Sequence, residues 1–266
     1  MKLFTQSCLL VASFLLLFGS CTLQDHQLPP TSATCLLYQV AELYQVMDGS
    51  NPEDIIEVDG QKIPVKTSSY TSYKYDEQGR IIEKYNVLDK WRTYYEYLTK
   101  DIKWTSVPDP DRPYAVSTTA ILGLDSRGLF ANAANVFDSE GFRTYFNEGT
   151  WKLYTTITDG NITKTERTEV RWFTTTEYEY DLTQPNKIPN PEPFYGKTSR
   201  NMLIREKYNA VDSKGERFYS ITDYKYFYNQ NGQVKYRVGL KKTYSPYLVE
   251  QPAIQYTITS YTITCQ

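Results

Sequence analysis

The chain has 266 residues and a formal net charge of −2, with no block of like charge along its length. A chain of this size forms one large domain or two small ones. Because it lacks a basic patch that would neutralise phosphates, nucleic acid is not expected as a partner.

The N-terminus has the composition of a secretory signal peptide. Lys2 supplies a positive charge, and Leu9 to Phe18 form an almost unbroken apolar run. A run of about ten residues is typical of the hydrophobic region of a signal peptide and is too short to cross a bilayer as a helix. We therefore expect residues 1–20 to be removed.

The segment Phe18-Gly19-Ser20-Cys21 resembles the lipobox of bacterial lipoproteins, with phenylalanine in place of the usual leucine. The resemblance implies that Cys21 is lipidated, becomes the mature N-terminus and anchors the chain to a membrane of the cell envelope. Thr22 is compatible with sorting to the outer membrane, on either its periplasmic or its surface face. Ordinary secretion with an incidental cysteine is the alternative.

Residues 21–33 include Pro29-Pro30 and no aromatic residue, which predicts a flexible tether. The remaining residues, 34–266, are expected to form a single all-β domain. Cys35 and Cys265 are the two cysteines left in that domain, and an oxidising envelope favours one disulfide between them. This bridge would join the first strand to the last, whereas two free buried thiols are the alternative.

Period-two alternation dominates the sequence after the tether. The stretches Glu177-Tyr178-Glu179-Tyr180 and Tyr224-Lys225-Tyr226-Phe227-Tyr228 alternate aromatic with polar residues, and tyrosine occurs 25 times in the chain. This pattern is typical of half-buried antiparallel strands. No long apolar stripe with helical spacing interrupts it.

One turn sequence recurs between the predicted strands: Asp or Asn, two variable residues, then Gly. The Asp or Asn side chain can accept a hydrogen bond from the backbone two residues on, and Gly tolerates a positive φ, so each copy predicts a hairpin. The five copies are Asp76–Gly79, Asp125–Gly128, Asp138–Gly141, Asp212–Gly215 and Asn229–Gly232, with Asp159-Gly160 as a tighter relative.

The stretch Tyr73-Lys74-Tyr75-Asp76-Glu77-Gln78-Gly79-Arg80-Ile81 resembles a unit of the tyrosine–aspartate (YD, RHS-like) repeats. More broadly, residues 34–266 resemble uncharacterised lipoproteins of Bacteroidetes built from such hairpins, through the early Cys35 strand, the stretch Gly196–Asn201 and the last strand ending in Cys265. The resemblance implies no activity and no cofactor. Because the turn glycines are irregularly spaced, we predict an antiparallel meander forming one curved sheet or an incomplete barrel.

Two proline-containing segments interrupt the meander. Asp181–Gly196 contains four prolines and is predicted to be a long surface loop rather than a central strand. The segment Val107–Pro113 is predicted to be a shorter connection of the same kind.

The candidates for catalysis are few, because the single histidine, His26, lies in the tether. Glu177, Glu179 and Asp181 would share one strand face and could serve as glycosidase carboxylates, although a solvated face is the simpler interpretation. A calcium site is a weaker alternative, because turn geometry already explains these acidic residues, and no metal site is predicted. Its candidate ligands are Asp109 with Asp111, and Asp138 with Glu140.

Aromatic side chains are the better candidates for a binding surface. Tryptophan and tyrosine give broad contacts to sugar rings or extended peptides, and long loops often carry function. The alternative is that these rings fill the core of the sheet. The candidate ligand-binding residues are Trp91, Trp104, Trp151, Trp172, Phe194 and Tyr195.

Together these features predict a non-enzymatic outer-membrane lipoprotein that binds a glycan, a peptide or an envelope protein. A structural component of an outer-membrane complex is the first alternative. A carboxylate-based glycan hydrolase is the second.

Overall fold

The computed structural model of the chain describes residues 35–46, 51–112, 114–130, 132–245, 247–248 and 252–265. The signal peptide 1–20, the lipidation site Cys21 and the tether 21–33 with His26 lie outside these residues and stay predictions. The described residues belong to one compact unit. They include no helix that is long and apolar enough to span a bilayer.

The described residues form sixteen β-strands and one 3₁₀ turn, Pro193–Tyr195. The first eight strands are β1 Cys35–Gln45, β2 Asp54–Val58, β3 Gln61–Tyr75, β4 Ile81–Asn86, β5 Trp91–Tyr97, β6 Asp101–Pro108, β7 Thr118–Gly123 and β8 Asn135–Phe137. The second eight are β9 Arg143–Asn147, β10 Trp151–Thr158, β11 Asn161–Glu169, β12 Trp172–Pro185, β13 Asn201–Asp212, β14 Arg217–Tyr228, β15 Val234–Tyr244 and β16 Ala253–Cys265.

All strands belong to one antiparallel sheet, which confirms the all-β meander. The order across the sheet is β7-β6-β5-β4-β3-β1-β16-β15-β14-β13-β12-β11-β10-β9-β8, with β2 paired to β3 beside this path. The sheet is not closed, because β7 and β8 each pair on one side only within the described residues. Two arms, β3–β7 and β8–β15, therefore extend from the central pair β1 and β16.

The predicted disulfide is present at this centre. Cys35 and Cys265 are bonded, with their Cα atoms 3.9 Å apart, and they are directly opposite each other where β1 pairs with β16. The bridge joins residues 230 positions apart in sequence, so it fixes the pairing of the first strand with the last.

The recurring turn also has the expected geometry. At Asp76 the side-chain Oδ1 accepts the N–H groups of Gln78 and Arg80 at 3.0 and 2.9 Å, and Gly79 has a φ of 76°. The other four copies repeat the same two hydrogen bonds and the positive φ of the glycine. In each copy, the same two hydrogen bonds to the Asp or Asn side chain hold the turn between two neighbouring segments.

The sheet has two distinct faces. β2 and the start of β3 fold over one face, where Ile56 and Ile63 pack with Val238 and Ile258; we call this the outer face. The opposite, inner face contacts the connection from Asn186 to Arg200, which we call the inner loop. Ile188 of the inner loop packs against Met202 and its neighbours there.

The prediction of a surface loop over Asp181–Gly196 is wrong in part. β12 continues to Pro185, with a register shift after Asp181. The inner loop then turns into the sheet and buries Phe194, which is 4% exposed. Side-chain amides make this burial possible, because Asn186 and Asn190 bind the loop's own backbone groups.

Candidate binding site on the inner face

The inner face of the β8–β15 arm and of β16 is lined by tyrosines. Strand alternation places Tyr224 and Tyr226 of β14 on this face, while Phe227 contacts the outer-face core. Strands β12 and β16, each separated from β14 by one strand, carry further tyrosines on this face. The tyrosines of this face are all half-buried; they are Tyr178, Tyr180, Tyr224, Tyr226 and Tyr261.

Arg237 lies beside three of these tyrosines, Tyr224, Tyr226 and Tyr261. It is opposite Tyr226 on one side and opposite Thr259 on the other. Its Nη2 donates to Thr259 Oγ1 at 3.4 Å, and its guanidinium carbon is 5.0 Å from the centroid of the Tyr224 ring. No carboxylate of the described residues forms an ion pair with it, and it also hydrogen-bonds the Tyr226 side chain.

The electrostatic surroundings keep Arg237 charged and its neighbours neutral. Burial lowers the pKa of the guanidinium, but the neighbouring hydroxyls of Tyr261 and Tyr224 and the Glu42 carboxylate outweigh that effect and raise it. Burial, with the nearby Glu206 carboxylate, raises the pKa of Tyr224 to about 12. At neutral pH the Arg237 guanidinium is therefore charged and the Tyr224 hydroxyl is protonated, with the Glu42 and Glu206 carboxylates nearby.

Gly239 makes room for the Tyr224 ring. A Cβ at this position would lie 2.7 Å from Thr222 Cγ2 and 2.9 Å from Tyr224 Cε1, which is closer than carbon atoms approach in proteins. Glycine therefore lets the ring lie flat on the strand that carries Arg237.

A second cluster lies on the other arm and is filled by the inner loop. Glu192 accepts a hydrogen bond from the Tyr95 hydroxyl at 2.7 Å and pairs with Lys84 Nζ at 2.7 Å. Burial, helped by the Glu192 carboxylate, raises the pKa of Tyr73 to about 12. Phe194 packs into the same cluster. The protein itself occupies this half of the inner face.

The inner loop is held at its far end by a polar network. Buried Asn161 donates to Asn201 Oδ1 at 3.0 Å and accepts the Asn201 N–H at 2.9 Å. Ser199 Oγ bonds the Tyr180 hydroxyl at 2.8 Å, and Tyr180 donates to the Ile162 carbonyl at 2.6 Å. The loop is thus fastened to β11, β12 and β13 by complementary hydrogen bonds.

The predicted tryptophans fall into two pairs on opposite arms. Trp91 and Trp104 lie on the neighbouring strands β5 and β6, and Trp104 packs against the cluster around Phe194. Trp151 is 4.9 Å from the Phe146 ring and lies under the Arg167 guanidinium. Trp172, 39% exposed, is 5.6 Å from the Phe218 ring. No single surface contains all four.

The two aromatic candidates of the loop differ in exposure. Phe194 is buried against Tyr95, at a ring distance of 5.7 Å. Tyr195 is 36% exposed and packs edge to face with Phe130 at 6.0 Å. Only Tyr195 therefore offers part of its ring to a ligand, and its binding role stays a prediction.

The predicted acidic candidates are engaged in local contacts. Glu179 pairs with Lys207 at 2.5 Å and Arg205 at 3.5 Å, while Asp181 accepts two hydrogen bonds from Thr183. Glu177 is exposed.

The calcium candidates are also engaged in local contacts. Asp109 accepts a hydrogen bond from Tyr85, and Asp111 pairs with Lys90. Asp138 binds the backbone of its own turn, in which Glu140 also lies. Among the residues with described positions, no three His, Cys, Asp or Glu side chains converge on a metal site.

The described residues line two concave surfaces, of which the second includes Tyr224 and Tyr226. A cleft of about 400 Å³ beside the disulfide is lined by Asn186–Pro189, Asn231–Gln233 and Ile263. A second, of about 360 Å³, includes Asp59, which pairs with Lys225 across it. Neither brings together unpaired charged groups.

Sequence reasoning identified the strands of the inner-face site but missed the site itself. The tyrosine alternation in β12 and β14 was visible, whereas the importance of Arg237 was not. Its role depends on β15 lying between β14 and β16, which no local pattern indicates. The signal that the sequence offers is a single charged residue, Arg237, within the otherwise uncharged stretch from Tyr236 to Leu240.

Comparison with known proteins gives no family. No family model matches the chain, and no curated protein matches it. Fourteen chains of solved structures resemble it. One is the crystal structure of a porin-like protein from Bacteroides uniformis ATCC 8492, 11% identical, with a TM-score of 0.48; the match covers 86% of this chain and 96% of that chain. No activity, ligand or location is transferred from this similarity.

Proposed function

We propose that this chain is an outer-membrane lipoprotein, anchored through Cys21, whose inner face binds a glycan chain as a non-enzymatic binding module. The proposal includes kinship with the hairpin-built lipoproteins of Bacteroidetes that carry YD/RHS-like repeats. Support for the anchor is the lipobox-like Phe18–Cys21 segment, and support for the kinship is the recurring turn.

One observation carries the binding role. Three half-buried tyrosines, Tyr224, Tyr226 and Tyr261, lie beside Arg237, on a face that also carries Tyr178 and Tyr180. Each of these tyrosines is only partly buried, and Arg237 forms no ion pair with a carboxylate of the described chain.

These groups suit a carbohydrate better than an apolar ligand. The C–H face of a sugar ring stacks on an aromatic ring, and its hydroxyls exchange hydrogen bonds with tyrosine, guanidinium and carboxylate groups. Glu206, 3.5 Å from the Tyr224 hydroxyl, adds an acceptor. A hydrolase would instead need two carboxyls about 5 or 6.5–9.5 Å apart around the substrate, and Glu179 is already paired with two cations.

The binding test uses the full chain purified in detergent and a panel of soluble polysaccharides and peptidoglycan fragments. We expect one of these to bind, and Tyr224→Ala and Arg237→Gln each to weaken that binding at least tenfold. Tyr154→Ala is the matched control, because that tyrosine is 48% exposed on the outer face.

Thermal unfolding of each variant separates lost binding from lost folding. Equal weakening by Tyr154→Ala, or binding unchanged by both inner-face substitutions, would refute the inner-face site. The anchor is tested separately, because Cys21→Ser should abolish incorporation of labelled fatty acid and release the chain from the membrane fraction. A label that persists in Cys21→Ser would place the lipid elsewhere.

A further inference from the structure

The two ends of the sheet share an unusual property. Three strands contain no charged residue, namely β7, β8 and β16. β16 pairs with β1 and β15 and is therefore protected on both sides, whereas β7 and β8 are the end strands. Proteins commonly place charges on edge strands to prevent pairing with other chains. In this sheet that protection is missing at the two end strands, β7 and β8.

The two edges differ in how much backbone they expose. β8 has three residues, and the turn before it binds it locally: Asn132 forms a bridge with Asn135 and accepts the side-chain amide of Asn135 at 2.8 Å. β7 has six residues and pairs with β6 on one side. Within the described residues, no backbone group of Thr118–Gly123 bonds a partner on the other side. β7 is therefore the longer open edge.

The neighbourhood of the β7 edge is apolar as well as uncharged. No charged residue occurs between Arg112 and Asp125. Val116 is 78% exposed and Ile121 is 62% exposed, while Leu122 is buried in the core of this arm and fixes the strand. The β7 edge thus combines backbone groups that have no partner among the described residues with exposed apolar side chains. The buried Leu122 fixes the strand in place.

The sheet cannot close through antiparallel pairing of its two end strands, β7 and β8. Each neighbour along the path is antiparallel, and the path contains an odd number of strands. β7 and β8 therefore run in the same direction, so that neither is an antiparallel partner for the other. β8 is therefore not the strand that extends the antiparallel order at β7.

We propose that β7 pairs antiparallel with β7 of a second copy of this chain. Two identical strands paired in this way are related by a two-fold axis, so the contact closes on itself and stops at a dimer. Self-pairing places each residue close to the same residues of the second copy. A charged edge strand such as β2, with Asp54 and Glu57, would therefore repel its copy. β7 contains no charged residue, so this repulsion is absent.

The position of the contact along β7 is also restricted. Phe130 already forms a bridge with Leu124 at the end of the strand. The second copy therefore pairs with the stretch from Ser117 to Ile121. A two-fold axis perpendicular to the sheet keeps the inner faces of both copies on the same side, and the proposal is independent of what the inner face binds.

Cysteine scanning on the full chain in detergent tests this geometry. Ser117→Cys, Thr118→Cys, Thr119→Cys and Ala120→Cys are oxidised separately and run on non-reducing gels. Residues opposite each other in an antiparallel pair have Cα atoms about 4.5–5.5 Å apart, within the reach of a disulfide. Each step from the axis separates the two copies of a residue by about 6.8 Å more, at twice the strand rise. We therefore expect a covalent dimer that peaks at one or two adjacent positions.

Thr156→Cys is the control for random collision, because Thr156 is exposed on β10, away from either edge. In a second measurement, Ile121→Lys should raise the dimer dissociation constant at least tenfold in sedimentation velocity, with an unchanged unfolding midpoint. A monomer at all concentrations, or equal crosslinking at the four β7 positions and at Thr156→Cys, would overturn the proposal. Crosslinking of β7 to a different protein in membranes, without dimer, would likewise reject self-pairing.

Discussion

At the scale of single residues, the recurring turn explains how one side chain sets the direction of the chain. Asp212 Oδ1 accepts the N–H groups of Lys214 and Glu216 at 2.9 and 2.8 Å, and Gly215 adopts a φ of 82°. One carboxylate oxygen thus satisfies two backbone donors that the hairpin would otherwise leave to water.

The turn predicts a sharp difference between two substitutions at Asp212. Asp212→Ala removes the acceptor of both hydrogen bonds and should lower the free energy of unfolding by about 1–2 kcal/mol. Asp212→Asn keeps an acceptor oxygen in place, and Asn229 fills the same role in another copy of the turn. It should therefore change stability by less than about 0.5 kcal/mol. Urea unfolding measures both, and equal losses would show that the negative charge, rather than the acceptor, stabilises the turn.

The contrast between the turns and the binding site shows what sequence reveals at this scale. A turn is decided by residues within five positions of each other, so Asp and Gly in the right spacing were sufficient to predict it. Arg237 acquires its surroundings from Tyr224 on one neighbouring strand and Thr259 on the other. No rule of local chemistry relates these three positions, and the site became visible only with the strand order.

At the scale of elements, the pair β1 and β16 holds the two arms of the sheet together. Cys35 pairs with Cys265 at one end of this ladder, and the pairing continues to Leu43 opposite Ile258. A ladder between residues so distant in sequence closes the largest loop of the molecule, and its entropic cost in folding is correspondingly high.

Removing the disulfide should therefore cause a large loss of stability. In the chain-entropy treatment, a loop of about 230 residues corresponds to roughly 5 kcal/mol, and measured values for native disulfides are about 2–5 kcal/mol. We expect the double variant Cys35→Ser, Cys265→Ser to lose an amount in that range in urea unfolding. Reductant should destabilise the wild-type chain to a similar extent and leave the variant unaffected. A loss below about 1 kcal/mol would show that β1 and β16 pair equally well without the bridge.

Strands and connections could be predicted where their own residues determine their structure. Alternation in β12 and β14 identified these strands, and prolines correctly indicated an irregular connection after Pro185. The inward turn of the inner loop was not predicted, because it depends on the space between the arms that Phe194 fills. The packing of β2 over the outer face likewise depends on Val238 and Ile258, far away in sequence.

At the scale of the whole molecule, the inner face is an aromatic surface with buried hydroxyl groups on both arms. Burial is the main cause that raises the pKa of Tyr73, Tyr97, Tyr180 and Tyr224, each to about 12, whereas a tyrosine in an unfolded chain titrates near 10. The folded chain therefore keeps protons that the unfolded chain releases between about pH 10 and 12. Stability contributed by these groups is complete below pH 10 and is lost as the pH rises toward 12.

This difference predicts a late phase in an alkaline titration followed by tyrosinate absorbance. In the folded chain the inner-face group should ionise only as the pH approaches 12, together with the loss of circular dichroism from the sheet. In denaturant all tyrosines should titrate in one phase near pH 10. Tyr224→Phe should reduce the amplitude of the late phase and the steepness of alkaline unfolding. Ionisation of all tyrosines near pH 10 in the folded chain would show that burial does not keep these hydroxyls protonated, and the predicted loss of stability between pH 10 and 12 would then be wrong.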